Sequence, residues 1–190
     1  MRAPFPAYAL DCATRLVAWN GLTARLVGAT SGDPTLRGLL GRSVLAAWFA
    51  PASPLARLVA DPDAFLPALI RALRYELRQY EGEAWAAGML DDLRSLPGFR
   101  ARWEEVDREP AAPSAARALV PVRLDVPGAG RLQFHLSSEP LARDARFRVI
   151  YYFPADPATI RACAAWAAHQ RVATGGADRG DGAAAFPFAR

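Results

Sequence analysis

Apolar and polar positions alternate with period two in three stretches of the second half of the chain. Val122 and Leu124 alternate with Arg123 and Asp125. Leu132, Phe134 and Leu136 alternate with Arg131, Gln133 and His135, and Phe147, Val149, Tyr151 and Phe153 follow Arg146 and Arg148. This period predicts half-buried antiparallel strands over Leu119–Val126, Arg131–Ser137 and Arg146–Phe153. Pro127-Gly128-Ala129-Gly130 joins the first two as a hairpin. Short strands are also expected at Tyr8–Asp11 and Leu16–Trp19, joined through Cys12-Ala13-Thr14-Arg15.

Between these two sets the period changes to that of helices, from about Gly21 to Val106. Asn20 is placed to cap a helix of Gly21–Val27. A loop from Gly28 to Pro34 precedes a helix of Thr35–Phe49, with Leu36, Leu39, Leu40, Val44 and Trp48 as its stripe and Pro51 and Pro54 as its stop. Asp61-Pro62 opens the next helix, where Phe65, Leu69, Leu73 and Leu77 recur every fourth residue. Gly82 ends it. Further helices are expected over Glu83–Leu96 and Phe99–Val106, then a Pro/Ala loop over Glu109–Ala116. A closing helix of Ala158 to about Val172 follows Asp156-Pro157. The expectation is one α+β domain over residues 4–172, a five-stranded antiparallel sheet with the helical insert packed on one face. A mobile tail over 173–190 would follow it.

Composition changes this picture little. The chain of 190 residues is 52% hydrophobic, enough for a core. All 23 basic residues are Arg, the mark of a GC-rich bacterial genome, so the net charge of +4 is weak evidence for nucleic acid. Cys12 and Cys163 give no disulfide framework, and with two His there is no metal constellation. No apolar run is long enough to cross a bilayer and no signal core opens the chain, which points to a cytoplasmic protein. Adjacent carboxylates such as Asp91-Asp92 and Glu104-Glu105 diverge by about 100° on a helix and make poor acid/base pairs. An enzyme is therefore not expected.

Two strands, a helical block and a three-stranded meander form the order of a PAS-type sensor domain. Pro6-Ala7-Tyr8-Ala9-Leu10-Asp11 followed by Leu16-Val17-Ala18-Trp19-Asn20 resembles the opening of the MmyB-like transcription regulator ligand-binding domain. Phe99-Arg100-Ala101-Arg102-Trp103, Gly130-Arg131-Leu132-Gln133-Phe134 and Val149-Ile150-Tyr151-Tyr152 are similar to its later segments. The resemblance spans about Pro6 to Phe153. It implies a PAS-like fold, a cavity associated with fatty-acid-like ligands, and a helix-turn-helix of the Xre type on the N-terminal side. That DNA-binding half is not found in this sequence, so DNA would be reached only through a missing or separate segment. The His of the family's Trp-x-x-His segment is also absent after Trp103.

The apolar sheet face and the helices above it supply the candidate ligand-binding residues: Tyr8, Trp19, Leu69, Leu73, Trp103, Leu124, Phe134, Leu136, Phe147, Val149 and Tyr151. Side chains of this kind wall an acyl chain or a ring. No cofactor is expected beyond a possible bound fatty-acid-like molecule, and a homodimer is the expected assembly. The competing reading is a PAS-like dimerisation or interaction module with a filled core and no ligand.

Overall fold

The computed structural model describes residues 4–30, 33–108 and 119–175. The expected loop at Glu109–Ala116 and most of the expected tail lie outside these residues. Strand β1 (Ala7–Leu10) and strand β2 (Leu16–Trp19) come first. The helical insert follows: α1 (Gly21–Leu26), α2 (Pro34–Arg37), α3 (Val44–Phe49), α4 (Pro54–Leu58), α5 (Pro62–Leu77), α6 (Ala84–Arg94) and α7 (Pro97–Asp107). Strands β3 (Val120–Val126), β4 (Gly130–Leu141) and β5 (Asp144–Pro154) complete the sheet, and α8 (Pro157–Gly175) closes the order.

The sheet is five-stranded and antiparallel throughout, in the order β2-β1-β5-β4-β3. The first and last strands of the chain's two strand groups thus meet in the middle, where β1 pairs with β5. The fold is α+β, with the expected two-plus-three distribution of strands around the insert.

The inner face is built by every second residue. Val120, Val122, Leu124 and Val126 of β3 are buried, as are Leu132, Phe134 and Leu136 of β4. Phe65, Leu66, Ile70 and Leu73 of α5 pack into the same core. Helix α5 starts as its sequence dictates: the Asp61 carboxylate accepts from the Ala64 N–H, and Pro62 occupies the first turn, where its missing N–H costs nothing.

Two local expectations are corrected. The first concerns β5. Register pairs Leu136 with Tyr152, Ser138 with Ile150 and Pro140 with Arg148. The inward residues of β5 are therefore Arg148, Ile150 and Tyr152, and Phe147, Val149, Tyr151 and Phe153 occupy the opposite face. The run from Val149 to Phe153 is apolar at every position, so period two cannot tell its faces apart. The irregular register at Pro140/Leu141 in the β4–β5 connection sets the parity instead.

The second correction is to the helix expected over Thr35–Phe49. It is two short helices separated by residues 38–43. Gly41 there adopts φ +71°, a left-handed backbone that glycine tolerates and that ends a helix. The freed segment pairs with the outer edge of β2. Leu16 N–H donates to the Arg42 carbonyl at 2.9 Å, and Gly41 N–H donates to the Leu16 carbonyl at 2.9 Å. An edge strand's unpaired groups are thereby covered. Ser43 then caps α3, its hydroxyl accepting from the Ala46 N–H at 3.1 Å.

Candidate functional site

The segment clipped to β2 borders a small concavity. It is a half-open cleft of about 40 Å³ between the β1–β2 end of the sheet and helices α2 to α4. The sheet contributes Tyr8, Leu16 and Trp19, and α3 contributes Val44, Ala47 and Trp48. Leu36, Leu39 and Leu55 close the helical side, and Thr23, Arg42 and Ser43 complete a lining that is almost wholly apolar.

Register explains why Tyr8 and Trp19 stand together, since they are directly paired across β1 and β2. The Tyr8 ring meets that of Tyr152 at 5.9 Å, and Tyr152 in turn meets Phe134 edge-on at 5.7 Å. The Tyr8 phenol lies near Tyr152 and the indole of Trp48. Burial pushes its pKa up to about 12, partly opposed by those two polar neighbours. Burial raises Tyr152 well above its ordinary value as well, helped by the neighbouring Tyr8. Both phenols are neutral at physiological pH and serve as fixed dipoles rather than as acids or bases.

Beneath the cleft, Asn20 does more than cap α1. Its Oδ1 accepts from Thr23 N–H at 3.0 Å, from Thr23 Oγ1 at 3.0 Å and from Ala7 N–H at 3.2 Å. Its Nδ2 donates to the Phe5 carbonyl at 2.9 Å. Thr23 Oγ1 also donates to the Ala7 carbonyl at 2.8 Å. The start of β1 and the start of α1 are locked together, which fixes Thr23 in the cleft wall. On the other side Thr14 and Ser43 hydroxyls meet at 2.9 Å, joining the β1–β2 turn to the cap of α3.

Of the residues expected to bind ligand, Tyr8 and Trp19 line this cleft. Leu124, Phe134 and Leu136 are buried in the packed sheet face, and Leu73 is buried on α5. Leu69 packs against the same core from α5. Trp103 lies on α7, stacked on Phe99 at 5.5 Å, with the guanidinium groups of Arg74 and Arg94 each 5.3 Å from its ring. Phe147, Val149 and Tyr151 are on the outer face. There Tyr151 and Phe153 cluster with Phe5, at 5.9 and 4.9 Å from it.

Ala47, Arg42 and Ser43 are lining residues that period counting passes over, whereas Trp48 belongs to the apolar stripe it marks. The signal for them was Gly38 and Gly41 inside an apparent helix, followed by Ser43 as a capping residue. The inward Arg148 is another surprise. Its side chain is only 12% exposed, and it pairs with Glu76 of α5 while contacting Ser138 Oγ at 3.2 Å. Desolvation lowers its pKa. This ion pair ties α5 to β5.

Among the described residues no group of three or more His, Cys, Asp or Glu is arranged to hold a metal ion. No described helix is long and apolar enough to cross a membrane. No curated protein matches the chain. The family model for the MmyB-like transcription regulator ligand binding domain matches residues 2–165. With a match over that length, an antiparallel sheet in this order and a cleft at its β1–β2 end, the chain belongs to the MmyB-like transcription regulator ligand binding domain family.

Proposed function

We propose that this PAS-like domain senses a small apolar molecule of the fatty-acid type in the Tyr8–Trp19–Trp48 cleft. Its occupancy is passed to a helix-turn-helix of the same regulator in the bacterial cytoplasm, and the domain carries out no catalysis and holds no resident cofactor. The observation that supports this reading is the cleft wall, which joins the sheet edge to three short helices. Helix α2 has four residues, α3 six and α4 five. Helices of this length depend on packing rather than on their own stability. They are therefore the part of the fold most readily displaced by a guest.

The volume limits the ligand. About 40 Å³ holds a few waters. A long acyl chain enters only if α2 to α4 move apart, whereas a short chain needs little displacement. The same small volume favours a second reading, the dimerisation module with a filled core. In that case the outer aromatic cluster of Phe5, Tyr151 and Phe153 is the surface offered to a second copy.

The two readings separate experimentally. Native mass spectrometry of the purified protein, followed by thermal-shift titration with octanoate, decanoate and palmitate, detects a guest. A charged residue at Phe134 is unsuitable as a control, because Phe134 is 1% exposed and packs within the core. Ala47→Leu is better: it fills the cleft from α3 and keeps helix propensity. Binding by the parent and none by a well-folded Ala47→Leu variant is expected. A protein that purifies empty and shifts with none of these acids is the dimerisation module.

A further inference from the structure

We propose that residues 38–43 form a strap that lifts off the edge of β2 without unfolding the domain, and that Thr14 is its latch. The inference deepens the ligand-sensing reading above, on which the strap's purpose rests: the strap is the part of the cleft wall that opens to admit a guest.

The strap is anchored at both ends and held by little between them. Leu36 of α2 is 4% exposed and Val44 of α3 is 7% exposed, so both flanks are buried. None of the residues 38–43 is buried, and Leu40 leaves 46% of its surface in solvent. Contact with β2 is made through isolated bridges rather than a ladder, Leu40 with Leu16 in parallel sense and Ser43 with Arg15 in antiparallel sense. Two backbone bonds cross it, between Leu16 and Arg42 and between Gly41 and Leu16, and Val44 N–H donates to the Thr14 carbonyl at 3.0 Å where the strap ends. A segment that buries little apolar surface and hangs on few hydrogen bonds opens far more often than the core does. Gly41 supplies backbone freedom for the move. A Cβ there would meet nothing within 4 Å, so glycine occupies the position for its left-handed backbone and not for lack of space.

Thr14 is the strained member of this arrangement. Its φ of +60° makes it the one described residue other than glycine with a left-handed backbone, and it is β-branched. Hairpin turns usually place Gly or Asn at such a position. The bonds that shape this turn, Thr14 N–H to the Asp11 carbonyl and Arg15 N–H to the Asp11 carboxylate, would be kept by glycine. What threonine adds is a buried hydroxyl, and that hydroxyl meets Ser43 Oγ at 2.9 Å. The turn thus carries a disfavoured residue whose side chain holds the strap down. Lifting the strap withdraws Leu39, Arg42 and Ser43 from the lining and opens the concavity on its β2 side, while α3 stays anchored.

Hydrogen exchange followed by NMR on the full chain tests the strap with no ligand present. The Leu16 and Gly41 amides are expected to exchange at least about 100-fold faster than the hydrogen-bonded amides at the centre of β4 and β5. Their rates should change little up to about 1 M urea, because a local opening exposes little surface. Thr14→Val removes the hydroxyl and keeps the branch, and Thr14→Gly removes both. Each should speed exchange of these two amides about tenfold. Thr14→Gly should do so with an unfolding midpoint equal to or above the parent's, a combination that general destabilisation does not produce. Strap amides that exchange only together with the core overturn the strap, and parental strap exchange in both variants overturns the latch. A lowered Thr14→Gly midpoint with strap and core accelerated alike also overturns the latch. All three outcomes leave ligand sensing intact. Stopped-flow tryptophan fluorescence with decanoate then tests the purpose: association should quicken in Thr14→Gly by the factor seen in strap exchange. An unchanged association rate beside faster strap exchange overturns the gate and spares the sensing reading. Absence of decanoate binding by the parent overturns the sensing reading and the gate with it.

Discussion

Replacing Asn20 tests whether the junction under the cleft is a structural lock or only a helix cap. Asn20→Ala removes the acceptor for the Thr23 N–H, the contact to Ala7 N–H and the donor to the Phe5 carbonyl. Loss of a helix cap costs about 1 kcal/mol. Each buried polar group left unmatched adds about 1–3 kcal/mol. Asn20 is 7% exposed, so water does not readily replace it. Ala7 N–H keeps Thr23 Oγ1 as a partner at 3.0 Å, which leaves the Phe5 carbonyl as the main uncompensated group. The sum is a destabilisation of about 2–4 kcal/mol. Urea unfolding followed by circular dichroism measures it. Asn20→Asp refines the test: it keeps the acceptor side but sets a carboxylate oxygen against the Phe5 carbonyl. The protonated acid can donate there, so the folded state raises that carboxyl's pKa. The variant's deficit should therefore be smallest at acidic pH and grow as pH rises through the carboxyl range. An Asn20→Ala loss below about 0.5 kcal/mol, less than a cap alone contributes, would refute the lock.

Three further predictions follow from the packing. Ser43→Ala removes the α3 cap and strands the buried Thr14 hydroxyl, so stability should fall by about 2 kcal/mol, with octanoate binding weakened beyond that of an equally destabilised core variant; unchanged unfolding midpoints would count against the coupling. Stability should decline at alkaline pH, because Tyr8 is raised to about 12 and Cys163 to about 11 by burial. The unfolded chain releases these protons first, so the loss begins near pH 9 and continues through about pH 12. Urea midpoints across that range check it, and a flat profile would contradict the buried phenol. Glu76→Ala leaves Arg148 without its partner on the inner face and should cost about 1–3 kcal/mol, while Glu76→Leu with Arg148→Met should recover much of that; a double variant as unstable as the single one would show that the charges themselves are required. Finally, this chain alone is expected to show no preference between promoter and scrambled DNA in a gel shift at physiological salt.

The sequence by itself determined the class of this fold. The strands β3 and β4 carry clean alternation because one face meets water and the other the core, so their inward residues were legible. The starts of α1 and α5 were legible from Asn20 and Asp61-Pro62, because capping is local chemistry. Tyr8 and Trp19 were identifiable as inward residues of short strands. Tertiary structure decided what depends on pairing partners. β5 is central and apolar at consecutive positions, so only its register with β1 and β4 chose Tyr152 over Tyr151 and turned Arg148 inward. The interruption at Gly41 was visible as glycine, but its purpose was not: residues 38–43 leave helical geometry because the open edge of β2 offers hydrogen bonds to the segment. That long-range pairing places Arg42 and Ser43 beside Tyr8 and Trp19 and makes the cleft. No local pattern encodes it, because the groups that compete for the backbone of Leu40 to Val44 lie more than twenty residues earlier in the chain.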